Sequence, residues 1–97
     1  FALPGLDFAF VGPGDLAASM GQIGEWDTPE VSEAISGVLA SARAAGVTLG
    51  TYGLGPQDIA ARRAQGFGFV AVGSDVAMLA GRISTELAAT RSLLEDR

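Results

Sequence analysis

Cysteine, histidine and lysine are all absent from this 97-residue chain, and each absence removes a class of chemistry. Without cysteine there are no disulfides and no thiolate metal sites. Without histidine the commonest general base is missing, and any metal site has to be built from oxygen. The side-chain cations are six arginines, set against eleven acidic residues for a net charge of -5. No basic stripe is available to follow a phosphate backbone, which argues against nucleic acid as a partner. No apolar run approaches the roughly 18 to 20 residues of a membrane span, and no basic start leads into a short apolar signal segment. The expectation is a soluble cytoplasmic chain with no membrane partner.

What is present is apolar sequence, 48% of the residues, in a length that suits one small domain. Leu6 to Val11 is a short Phe-rich run between Pro4-Gly5 and Gly12-Pro13-Gly14, which predicts a buried strand. A short helical turn over Leu16 to Met20 follows. From Pro29 to Ala45, Val31, Ile35, Val38, Leu39 and Ala42 recur at helical spacing. Thr28 is placed to cap that helix, Pro29 suits its first turn and Gly46 its end. Val47 to Tyr52 predicts a second strand, and Pro56 to about Gln65 a helix closed by Gly66. Phe67 to Val72 predicts a third strand. Ser74 caps a last helix with Val76, Leu79, Ile83, Leu87 and Leu94 near one face.

The order β-α-β-α-β-α with apolar strands predicts an α/β fold with a parallel sheet covered by helices. The pattern fits either a small open sheet or part of a closed eight-fold barrel. A full barrel takes about 250 residues, so length favours a part. The chain starts with Phe and enters strand-like sequence at once, and we expect a missing N-terminal part. Residues 1–97 are then one piece of a single domain.

In parallel α/β folds ligands gather at the carboxyl ends of the strands. The three loops there are Gly12-Pro13-Gly14-Asp15, Tyr52-Gly53-Leu54-Gly55 and Gly73-Ser74-Asp75, all rich in the residue that lets backbone approach a ligand. Asp15 has two readings. It is a hard oxygen ligand for a divalent cation, beside N–H groups placed for an anion, or it is the N-cap of the helix that follows. Asp75, beside Ser74, reads as a helix-start residue and is left out of the site.

Together the stretches FAFVGPGDLAASMG, a Pro-Glu-Val helix, AAGVTLG and ARRAQGFGFVAVGSDVAMLA carry a resemblance. The sequence resembles the C-terminal part of the metal-dependent pyruvate aldolases, the HpcH/HpaI aldolase/citrate lyase family of the 4-hydroxy-2-oxoheptanedioate and 2-keto-3-deoxyglucarate aldolases. The resemblance implies a (β/α)8 TIM barrel of the phosphoenolpyruvate/pyruvate type, of which this chain supplies strands six, seven and eight. It implies Asp15 as a ligand of Mg2+, Mn2+ or Co2+, with Gly12, Gly14 and Asp15 holding the carboxylate of a small 2-oxo acid. The implied reaction cleaves a 4-hydroxy-2-oxo acid to pyruvate and an aldehyde through a metal-stabilised enolate. The family's second ligand, a glutamate, its arginine and its histidine base lie upstream, so no catalytic residue is named in this chain and the chain alone is expected to be inactive. The family also implies a homo-oligomer, with exchange of the C-terminal helix from Val76 to Leu94.

Two positions bear on substrate. Tyr52 stands where the resembled family has an aliphatic residue; it either narrows the aldehyde side of the pocket or packs on the neighbouring loop. Trp26 either covers the site or joins a subunit contact. Arg62 and Arg63 are expected far from the strand ends in solvated or packing roles, and Glu25, Asp27, Glu30 and Glu33 around a solvated helix start. Two alternatives to the aldolase stand. An acyl-CoA lyase of the same superfamily needs a basic patch that these loops lack, and a non-catalytic partial-barrel assembly module needs a stable monomer without metal affinity.

Overall fold

A computed structural model describes residues 1–95. Its elements are β1 (Phe8–Val11), α1 (Pro13–Ser19), α2 (Pro29–Ala44), β2 (Thr48–Tyr52), α3 (Pro56–Gln65), β3 (Phe69–Ala71) and α4 (Asp75–Glu95). The three strands are parallel in the order β1-β2-β3. The expected alternation is therefore present, with shorter strands and a full short helix where one turn was expected. Phe67 shows why the third strand starts late. Its N–H donates to the Arg62 carbonyl at 3.2 Å, inside the turn that closes α3, and Gly66 holds that turn at φ +115, a conformation open to glycine.

Helix α2 has the predicted ends. Thr28 Oγ1 accepts a hydrogen bond from Val31 N at 3.3 Å, Pro29 takes the first turn, and Gly46 follows with φ +70. Its Val31, Ile35, Leu39 and Ala42 are buried and pack with Ala17, Leu49 and Phe67. Each fully buried aliphatic side chain contributes about 1.5–3 kcal/mol, so α2 is the helix that holds the sheet. Alternation along the strands supplies the other half of the core: Ala9, Val11, Leu49 and Val70 meet the helices.

The opposite face of the sheet is aromatic and uncovered. Phe8, Phe10 and Phe69 are half-exposed, with ring centroids 6.0 Å apart for Phe8 and Phe69 and 6.1 Å for Phe10 and Phe69. Gly50 sits between them, where a Cβ would lie 2.7 Å from Phe69 Cδ1. Helix α4 buries no residue; its apolar row at Val76, Leu79, Ile83, Leu87 and Leu94 is 46–73% exposed. The chain is correspondingly elongated, 64 × 27 × 21 Å. Among the described residues no helix is long and apolar enough to cross a membrane.

Candidate functional site

Parallel strands end on one edge, and the registers Val11 with Thr51 and Tyr52 with Ala71 bring the three glycine loops to it. Thr51 ties the first two together. It is fully buried, and its Oγ1 donates to the Val11 carbonyl at 3.0 Å, which fixes the last residue of β1 immediately before the Gly12 loop. Gly53 N donates to the Ala71 carbonyl at 3.0 Å and joins the second strand end to the third.

The first two loops share a spelling. Gly12-Pro13-Gly14-Asp15 opens α1 and Gly55-Pro56-Gln57-Asp58 opens α3. In each the glycine is the N-cap, the proline leads the first turn, and the aspartate is the third helical residue. Asp15 is thus not the N-cap; Gly12 is, and no side chain caps that end.

The two carboxylates nevertheless have different surroundings. Asp58 Oδ2 accepts a hydrogen bond from Leu54 N at 2.8 Å, and Oδ1 lies 3.5 Å from Arg62 Nε. Among the described residues Asp15 has no hydrogen-bonded or ion-paired side-chain partner. Backbone geometry accounts for the difference. Gly55 has φ 123 and ψ 170, which only glycine adopts readily, so the chain doubles back and offers the Leu54 N–H to the helix start. Gly12 has φ -91 and ψ 110 and continues the extended strand. The Asp15 carboxylate then lies over Gly12, with Oδ2 2.7 Å from the point where a Cβ would sit. Glycine at position 12 leaves that space to the carboxylate, and the position of a Cβ on Gly14 is open.

Gly14 and Tyr52 meet in the wall of one cavity of about 200 Å³, with Pro13, Trp26, Leu54, Asp58 and Arg62. Gly12 and Asp15 lie beside this cavity in sequence but not in its wall. Tyr52 also borders a second cavity, toward Gly73 and Met78, with its hydroxyl 4.0 Å from where a Gly73 Cβ would be. Arg62 departs from the expectation that it lies away from the strand ends, because it reaches this wall with a side chain only 16% exposed. Arg63 keeps a structural role: its Nη1 donates to the Phe67 carbonyl at 2.6 Å. Asp75 Oδ1 accepts from Val76 N at 2.9 Å, and Ser74 Oγ from Ala77 N at 3.1 Å, as expected of a helix start. Glu25, Asp27, Glu30 and Glu33 are exposed.

Asp58 and Thr51 stand out only in the structure. A second Gly-Pro-x-Asp three residues after Tyr52 was the available signal for Asp58. For Thr51 it was alternation with Leu49, which puts a hydroxyl on the core face.

As a metal centre the described residues are incomplete. No group of three or more Asp, Glu, His or Cys gathers anywhere among them. Asp15 fits the part of one oxygen ligand, since its carboxylate is exposed and uncommitted.

Fold and site define the class: parallel β/α units whose glycine loops meet, with the Asp15 carboxylate, at the strands' carboxyl ends. Residues 1–81 match the family HpcH/HpaI aldolase/citrate lyase, and the chain belongs to it. It is 42% identical over 91 residues to a hydroxypyruvate/pyruvate aldolase of Roseovarius nubinhibens, covering 94% of this chain and 35% of that protein. It is 47% identical over 77 residues to a 5-keto-4-deoxy-D-glucarate aldolase of Klebsiella pneumoniae, covering 77% of this chain and 29% of that one. A solved HpcH/HpaI aldolase/citrate lyase family protein from Burkholderia cenocepacia superposes with TM-score 0.83 at 36% identity, over 91% of this chain and 34% of that chain. The chain spans about a third of the length of the relatives it matches.

Proposed function

We propose that this chain forms strands six to eight of a (β/α)8 aldolase barrel that cleaves a 4-hydroxy-2-oxo acid to pyruvate and an aldehyde. The observation that carries the reading is the contrast between two aspartates in the same Gly-Pro-x-Asp setting. Asp58 is engaged by its own helix and loop, whereas the Asp15 carboxylate, at the strand edge, has no side-chain partner among the described residues. In this reading Asp15 holds one side of a divalent ion, Mg2+, Mn2+ or Co2+, and its remaining protein ligand comes from the part of the barrel outside this chain.

When bound, such an ion supplies Lewis-acid stabilisation of the negative charge that gathers on the 2-oxo oxygen. The chain's own residues do the positioning. Gly12 leaves room for the carboxylate, and the open Gly14 lets the backbone approach the substrate carboxylate without a side chain between them. Tyr52 and Trp26 border the neighbouring aldehyde side. In the cleavage the 4-hydroxyl gives its proton to a base outside this chain, the C3–C4 electron pair stays with the pyruvate half, and C3 then takes a proton to become the methyl group. No arginine lies in the three mouth loops, and Arg62 in the cavity wall is paired with Asp58, which disfavours an acyl-CoA substrate with its phosphates.

The uncovered faces support the assembly that the reading requires. The aromatic face at Phe8, Phe10 and Phe69 suits the interior of a closed barrel, and the exposed row on α4 suits a neighbouring subunit. The test is pyruvate release by the complete protein that carries this segment. Release should require a divalent ion, disappear on chelation and return with Mg2+ or Mn2+. Asp15→Ala should lower it at least about a hundredfold, the scale of a lost charge-stabilising group. Ion-independent release, or full activity in Asp15→Ala, contradicts the reading.

A further inference from the structure

We propose that Asp58 is a positioning residue: it fixes the loop after β2 so that Tyr52 and Leu54 stand against the Gly14 loop and shape the aldehyde half of the site. This rests on the aldolase reading above. Three observations carry it. Leu54 N makes its hydrogen bond to Asp58 Oδ2 at 2.8 Å, so the loop's central amide is held from the next helix by a charge-assisted contact. The loop has little freedom elsewhere. Gly53 N is bonded to the Ala71 carbonyl, a Cβ on Gly53 would lie 2.3 Å from Ile59 Cγ1, and Gly55 sits at φ 123. Leu54 and Tyr52 line the same cavity as Pro13 and Gly14, so a shift of the loop moves that wall.

The second oxygen of Asp58 gives the brace its other end. Arg62 Nε lies 3.5 Å from Oδ1, is buried, and has no hydrogen-bond partner among the described residues. Arg62 also borders the cavity. Asp58 therefore does two things at once: it accepts from the loop and balances a cation in the cavity wall. Removing the carboxylate frees the loop amide and leaves the arginine charge without its counter-ion. An ordinary helix-start role would cost stability alone; a positioning role changes recognition of the aldehyde and leaves the pyruvate side less affected.

The experiment compares wild type, Asp58→Ala and Asp58→Asn in the complete protein, with two activity readouts and one structural readout. Exchange of pyruvate methyl protons in D2O with a divalent ion reports the pyruvate side without any aldehyde. The KM for the aldehyde in the synthetic direction reports the other side. Asp58→Ala should raise the aldehyde KM about tenfold, the scale of a sub-ångström misplacement, while exchange changes by less than about threefold. Asp58→Asn keeps an acceptor for Leu54 N and should recover most of the KM. Emission from Trp26, the one tryptophan of these 97 residues and a neighbour of Leu54 in the cavity wall, taken as the difference between each protein and the same protein carrying Trp26→Phe, should shift in Asp58→Ala and stay near wild type in Asp58→Asn.

Equal loss of both activities in Asp58→Ala, with unchanged Trp26 emission, overturns the proposal, and so does an unchanged KM. Absence of pyruvate exchange in wild type sinks the aldolase reading instead. The loop claim is then decided by Trp26 emission and by hydrogen exchange at Leu54 N, which should be protected in wild type and unprotected in Asp58→Ala.

Discussion

Replacing Gly12 by alanine separates the carboxylate's position from the fold. The backbone at Gly12, φ -91 and ψ 110, is extended and open to any residue, so alanine adds no torsional strain. Alanine is a poorer N-cap than glycine, and the expected stability loss is about 0.5–1 kcal/mol. The methyl group, however, would lie 2.7 Å from Asp15 Oδ2, well inside the roughly 3.5 Å at which non-bonded heavy atoms rest. The obstructing atom is the end of a flexible side chain, so the carboxylate turns aside and the helix stays. Returning it to a ligating orientation then requires an off-rotamer side chain at about 0.5–1.5 kcal/mol, which converts to roughly two- to twelvefold weaker ion binding. Mn2+ titration followed by water-proton relaxation measures the affinity, and urea unfolding of the same sample without added ion measures the fold. Wild-type affinity in Gly12→Ala would refute the reasoning, because the carboxylate would then not lie where the structure puts it. A collapse of stability by several kcal/mol would refute it equally.

Phe67→Ala should cost about 3–5 kcal/mol, since Phe67 is fully buried among the α2 residues and Leu49; a loss below about 1 kcal/mol in denaturant unfolding would contradict that core assignment. Ile83→Ser combined with Leu87→Ser removes two members of the exposed α4 row. At about 1.5 kcal/mol for each aliphatic side chain buried in a contact, self-association should weaken roughly a hundredfold in sedimentation equilibrium, and an unchanged association constant would mean that α4 meets no neighbour through this row.

Much of the fold was legible because its punctuation is local. Thr28, Pro29 and Gly46 mark both ends of α2, and the spacing of Val31, Ile35, Leu39 and Ala42 marks its buried face. Strand ends were less legible, since an apolar residue next to a strand carries the same signal as one within it. Phe67 belongs to the turn after α3 yet fills the core as a strand residue would. In the candidate site, glycine and aspartate types pointed to the carboxyl edge of the strands, where the structure places them, but not to the different surroundings of the two aspartates. Asp15 and Asp58 share the same Gly-Pro-x-Asp pattern in sequence. What separates them is the torsion angle of the preceding glycine, φ -91 at Gly12 against φ 123 at Gly55, and that angle depends on where the chain comes from in three dimensions. Arg62 shows the same limit. In sequence it reads as a solvated or packing residue of α3, and only the structure places it in the wall of the cavity that Trp26, Tyr52 and Gly14 also line.

The most direct test of the central claim is exchange of pyruvate methyl protons in D2O by the complete protein, with wild type and Asp15→Asn measured side by side across a divalent-ion titration. Asparagine keeps the size of the side chain and removes its charge. The account predicts ion-dependent exchange in wild type and, in Asp15→Asn, a saturation point displaced to at least about tenfold higher ion concentration, the scale of a lost charged ligand, with urea unfolding in the absence of added ion unchanged. Superimposable titrations for the two proteins would contradict it and return Asp15 to a purely structural place at the start of α1.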